Sequence, residues 1–171
     1  VIGGSLGAKI FNDIVPEALA LIPLDKRPSI VHQAGLKHID ALIQSYQKFG
    51  VKAECCAFID DMGARYAAAD LIICRAGAIT VTELTAVGLG SILVPYPHAV
   101  DDHQTSNAQF LCKAKASQLI PQVEFNAPRL AQLLSTITRE ECLTMARQAK
   151  QLASVDAASR VANECEALIG K

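Results

Sequence analysis

Four stretches of this 171-residue chain carry residues able to do chemistry, each where an apolar run gives way to a helical pattern. The first is GGSLGA at 3–8. Its glycines permit positive φ and let a ligand approach the backbone closely. The helix that follows offers unpaired N–H groups and the positive end of its dipole, so Gly4 and Ser5 are candidates for holding a phosphate. The competing reading is a plain strand-to-helix turn that needs small residues. A dinucleotide site would require a carboxylate about 20 positions on, at the end of the next strand. Val31, His32 and Gln33 stand near there instead, which disfavours NAD.

The second stretch, CRAGAITVTE at 74–83, leaves a strand at Arg75, turns on Gly77 and enters another helix. Thr80 is expected to cap that helix, with the free amides of Ala78, Ile79 and Thr80 facing one opening. Glu83, a turn further in, either complements the dipole or accepts hydrogen bonds from two neighbouring hydroxyls of a ribose. The third, FIDDMGARY at 58–66, places Asp60 and Asp61 before a helix, the pattern of an N-cap. Phe58 and Ile59 add an aromatic and a main-chain edge suited to a planar base. The fourth, PYPHAVDDHQTSNAQ at 95–109, stiffens a strand exit with two prolines. Asp101, Asp102, His103, Gln104 and Asn107 then crowd a helix start with groups suited to sugar hydroxyls, or simply cap it in solvent. A His–Asp catalytic pair lacks a nucleophile beside it, so no catalytic residue is assigned.

Elements of a regular β–α alternation must position these loops. Strands are expected at 1–3, 29–32, 51–58, 71–74, 91–94 and 118–120. Helices are expected at 8–21, 37–49, 61–69, 79–87, 102–113, 127–135, 139–152 and 156–168. Apolar runs such as LIIC and SILV fit strands covered on both faces. The expected fold is α/β, a doubly wound, mostly parallel six-stranded sheet in one domain. A net charge of −1 argues against nucleic acid as a partner. No apolar run is long enough to span a bilayer, and no signal peptide is read at the start. The six cysteines form no C-x-x-C pair and the four histidines no metal-type spacing, so reduced thiols and no bound metal are expected.

Taken in register, G-G-S-x-G-A, F-I-D-D-M, C-R-A-G-A-x-T-V-x-E and H-x-x-x-D-x-Q-x-x-N-A resemble the C-terminal half of the MurG family. These bacterial transferases add N-acetylglucosamine to undecaprenyl-diphospho-muramoyl-pentapeptide in peptidoglycan biosynthesis. The resemblance covers essentially the whole chain. It implies a Rossmann-like donor lobe of the GT-B architecture, binding UDP-N-acetylglucosamine over residues 1–171. A missing N-terminal lobe would receive the lipid-linked acceptor at the cytoplasmic face of the inner membrane and supply the general base. The absence of a starting methionine, and a first residue near the end of a strand, fit a donor lobe cut from a longer protein. The lobe alone is expected to be soluble and inactive.

The resemblance also assigns residues. Gly4 and Ser5 would contact the diphosphate, as would Ala78, Ile79 and Thr80 at the second helix start. Ile59 would read the uracil edge through its backbone, and Glu83 would bind the ribose. His103 and Gln104 fall where the family grips sugar hydroxyls. A known relative has two glutamines there, and one extra residue separates His98 from this pair; Gln104 is favoured. Transfer would be inverting, without an obligatory metal or other cofactor. Three other readings are a separate donor subunit of a dolichyl-diphosphate N-acetylglucosamine transferase, a UDP-sugar epimerase lobe, and a non-catalytic nucleotide-binding α/β domain.

Overall fold

The computed structural model describes residues 1–97, 102–154 and 156–169. The chain alternates as its apolar pattern predicts: α1 (Lys9–Ala20), β1 (Val31–Gln33), α2 (Ile39–Lys48), β2 (Glu54–Cys56), α3 (Met62–Ala68), β3 (Ile72–Cys74), α4 (Ala78–Val87), β4 (Ser91–Leu93), α5 (His103–Lys113) and β5 (Ser117–Leu119). Three helices close it, α6 (Ala127–Thr136), α7 (Arg139–Gln151) and α8 (Ala157–Ile169). Helix starts follow local chemistry. Asn126 caps α6 with a 3.0 Å bond from the Arg129 amide, and Thr138 with Glu141 forms a capping box on α7.

All strand pairs are parallel. Ile2 joins the β1–β2 pair to the β3–β4–β5 ladder, bridging Gln33 on one side and Cys74 on the other. The order across the sheet is β2, β1, Ile2, β3, β4, β5. Of the six expected strands, the one at 1–3 is reduced to these two bridges of Ile2. Gly3 and Gly4 follow at once, and glycine has no side chain with which to hold an extended backbone against its neighbours. Chain order runs outward from Ile2 both ways, so it reverses between Ile2 and β3. A doubly wound sheet opens a crevice at such a point, outside the carboxyl ends of its strands.

Alternation along the strands divides the core. Ile73, Ile92, Val94 and Ile120 face Phe11 and Val15 of α1, Leu42 of α2 and Leu130 of α6. Ile2, Ile72, Cys74 and Leu93 face Tyr66 of α3, Leu84 of α4 and Leu111 of α5. Burial on both faces explains why these strands read as continuous apolar runs.

Candidate functional site

The amide of Ile2 donates to the Ile73 carbonyl at 3.0 Å. Because Ile2 and β3 are adjacent and parallel, the loops after them leave the same end of the sheet. In the first loop, the Gly7 amide donates to the Gly4 carbonyl at 2.9 Å, closing a turn around exposed Ser5. Gly7 has a φ of 73°, and a Cβ built on it would lie 1.8 Å from the Ala34 carbonyl oxygen, so no other residue fits. Gly4 has a φ of 87° and open space where its side chain would be. The next helix, α1, begins without a side-chain cap. Its first amides stay open for an anion.

Gln33, a buried residue at the end of β1, supports this turn. Its Nε2 donates to the Gly4 carbonyl at 2.9 Å, and its Oε1 accepts from the Ile59 amide at 3.2 Å. A peptide's N–H points opposite to its C=O, so binding the Gly4 carbonyl inward turns the Ser5 amide away from Gln33. No periodic pattern in the sequence marks Gln33 as a cross-loop brace. The same bond revises Ile59. Its N–H is already engaged in the free chain, leaving the carbonyl as its open backbone group. Its side chain is buried, whereas Phe58 beside it is 55% exposed.

The second loop is held by side chains. The Ala76 amide donates to Gln104 Oε1 at 3.3 Å, and Asn107 Nδ2 donates to the Ala76 carbonyl at 3.0 Å. Gln104 Oε1 also accepts from the Tyr96 amide at 2.9 Å. Two N–H donors on that oxygen fix the amide's orientation and leave its NH₂ as the group for a ligand. Arg75 turns into the structure instead of toward an anion. It donates to the carbonyls of Val94 and Pro95 at 3.0 and 3.1 Å and to Gln122 Oε1 at 2.7 Å. Its guanidinium lies over the rings of Phe11 and Tyr96, at 5.0 and 5.3 Å.

Thr80 does not cap α4. Gly77 is the N-cap and makes no side-chain bond, so Thr80 is the third helical residue. The first bond within the helix runs from the Val81 amide to the Gly77 carbonyl at 3.0 Å. The amides of Ala78, Ile79 and Thr80 therefore have no acceptor among the described residues, as the sequence implied. Glu83 lies on the exposed side of α4, where Tyr66 of α3 donates its hydroxyl to Oε2 at 2.9 Å. Asp61 caps α3, accepting from the Ala64 amide at 2.9 Å.

The fold thus brings Gly4 and Ser5 to Ile59 through Gln33, and sets Gln104 against the turn leading to Ala78, Ile79 and Thr80. His103 is exposed, and its side chain makes no hydrogen bond to another described residue. His98 and Asp101 of the fourth stretch lie outside the described residues. No group of three His, Cys, Asp or Glu side chains among the described residues could hold a metal ion. Burial pushes the Cys74 thiol up to about 12, which keeps it an inert core group. A groove of about 1320 Å3 runs beneath the amino ends of β1 and β3 and along α3. Apart from Ile59, none of the candidate residues lines it.

Comparison with known proteins bears on this arrangement. Residues 1–161 match the glycosyltransferase family 28 C-terminal domain. The chain is 54% identical over 168 residues to the UDP-N-acetylglucosamine--N-acetylmuramyl-(pentapeptide) pyrophosphoryl-undecaprenol N-acetylglucosamine transferase of Aromatoleum aromaticum, covering 98% of this chain and 47% of that protein. It is 51% identical over 171 residues to the enzyme of the same name from Nitrosomonas europaea, covering 100% of this chain and 48% of that protein. The crystal structure of Acinetobacter baumannii MurG superposes with a TM-score of 0.88 at 39% identity, over 95% of this chain and 49% of that one. The glycosyltransferase VinC shares the fold alone, with a TM-score of 0.62 at 13% identity over 95% of this chain and 39% of that one. The chain spans about half the length of the curated relatives it matches. With a doubly wound parallel sheet, two uncapped helix starts at its reversal point and identity above one-half along nearly every residue, this chain belongs to the glycosyltransferase family 28 C-terminal domain family.

Proposed function

We propose that residues 1–171 form the donor lobe of an inverting glycosyltransferase that moves N-acetylglucosamine from UDP-N-acetylglucosamine to a lipid-linked muramoyl-pentapeptide. The observation that carries this reading is the pair of uncapped helix starts, α1 and α4, opening at the same end of adjacent parallel strands. Two positive helix ends suit one diphosphate.

In this reading, Ser5 and the amides of the first turn hold one side of the diphosphate, and those of Ala78, Ile79 and Thr80 hold the other. As the sugar–phosphate bond breaks, negative charge builds on the leaving UDP. Fixed N–H groups stabilise that charge without reorganising, and each well-placed donor lowers the barrier by about 3 kcal/mol. The Ile59 carbonyl accepts from the uracil ring N–H, Glu83 accepts from the ribose hydroxyls, and the Gln104 NH₂ donates to the sugar. Positioning completes the lobe's share of the work. The acceptor, its general base and contact with the cytoplasmic face of the membrane belong to the remainder of a longer protein. By itself this chain transfers nothing.

Calorimetric titration of the chain with UDP, using UMP and ADP as controls, tests the reading. UDP binds most tightly if the site holds a diphosphate and a uracil together. Equal binding of all three contradicts it.

A further inference from the structure

The hydroxyl of Tyr66 has no packing role that a phenylalanine would not fill. The tyrosine is 6% exposed, lying in the core cluster that holds Ile59, Cys74, Val81 and Leu84. Its oxygen alone reaches out of that cluster, to Glu83 Oε2 at 2.9 Å, joining α3 to α4. The Glu83 side chain has no other hydrogen bond to a described residue, and it is exposed on its helix, where a long side chain would otherwise sample several rotamers. Burial and the neighbouring carboxylate push the phenol's pKa up, so the group remains a donor.

We infer that Tyr66 is a positioning residue for ribose recognition, holding one oxygen of Glu83 so that the other stands ready for the sugar hydroxyls. The inference rests on the reading of Glu83 as the ribose acceptor. The benefit is pre-organisation: an exposed carboxylate already ordered before binding loses less freedom when the nucleotide arrives. Tyr66 touches no reacting atom and acts only through Glu83.

The test compares UDP with 2′,3′-dideoxyuridine diphosphate, titrated into the wild-type chain, Tyr66→Phe, Glu83→Ala and the double variant. The wild type should prefer UDP, and Glu83→Ala should abolish that preference. Tyr66→Phe should weaken UDP by about 3- to 10-fold while leaving the dideoxy ligand unchanged. In the Glu83→Ala background it should do nothing further. Unchanged binding of the dideoxy ligand also reports that Tyr66→Phe is folded.

If Glu83→Ala abolishes the preference but Tyr66→Phe leaves it intact, the positioning role is overturned and the ribose reading stands. Equal weakening of both ligands by Tyr66→Phe marks a structural tyrosine and overturns it too. A wild type without preference, or Glu83→Ala with the preference undiminished, removes the ribose reading and the inference together.

Discussion

The two turns that open the crevice are built by different means. The first, at 3–8, has one side-chain brace, Gln33 on the Gly4 carbonyl, and is otherwise set by backbone touching backbone: Gly7 lies against Ala34, and a Cβ on Gly35 would lie 2.1 Å from the Leu6 carbonyl oxygen. The second, at 75–80, has no such crowding. Gly77 has a φ of −63°, and the nearest atom to an added Cβ would be Thr80 Oγ1 at 3.9 Å. Its shape comes from Gln104 and Asn107 of α5, which bind Ala76, and from Arg75 of the turn itself, which donates to the Val94 carbonyl. Two glycine-bearing turns thus tolerate change very differently.

Substitutions should expose that difference. Gly7→Ala combines a forbidden φ with overlap onto the Ala34 backbone. It should destabilise the chain by about 3 kcal/mol or more and abolish UDP binding, as thermal unfolding and calorimetry would record. Acid should also weaken the first region. Burial lowers the pKa of His32 in β1 from 6.5 to about 3. The unfolded chain therefore takes up a proton that the folded one refuses, and the stability is present above pH 6.5 and lost as pH falls toward 3. His32→Asn should make that decline shallower in a series of melting curves.

Gln33→Leu would leave the Ile59 amide without its acceptor. It should cost about 1–3 kcal/mol of stability and loosen the first turn, weakening UDP more than uridine in calorimetry. Asn107→Ala removes a single brace from the Ala76 carbonyl. A loss of about 1 kcal/mol is expected, with weaker binding of UDP-N-acetylglucosamine. Gly77→Ala should be the mildest, within about 0.5 kcal/mol, because its backbone is ordinary and its surroundings open. A large loss at Gly77, or a mild one at Gly7, would erase the contrast between the turns.

Much of the scaffold is legible in the residues. Apolar runs such as Ile72–Cys74 and Ser91–Leu93 announce strands covered on both faces, and Asp61 announces the start of α3. Of the neighbouring pair His103 and Gln104, Gln104 accepts from the Ala76 amide while His103 stands exposed. Other features depend on contacts that one-dimensional spacing does not encode. Thr80 looks like a cap, but the helix starts earlier because Gly77 adopts an extended conformation suited to that position. Nothing in the spacing around Arg75 shows that two aromatic rings and three acceptors draw it inward. Gln33 and Tyr66 gain their roles from partners 26 and 17 residues away, across strand order that only the folded sheet establishes.

A crystal structure of the chain soaked with UDP would test most directly whether both turns serve one ligand. The account predicts the diphosphate between the Ser5 turn and the amides of Ala78, Ile79 and Thr80, touching both. A nucleotide seated in the groove beneath the amino ends of β1 and β3, or held by only one of the two turns, would contradict it.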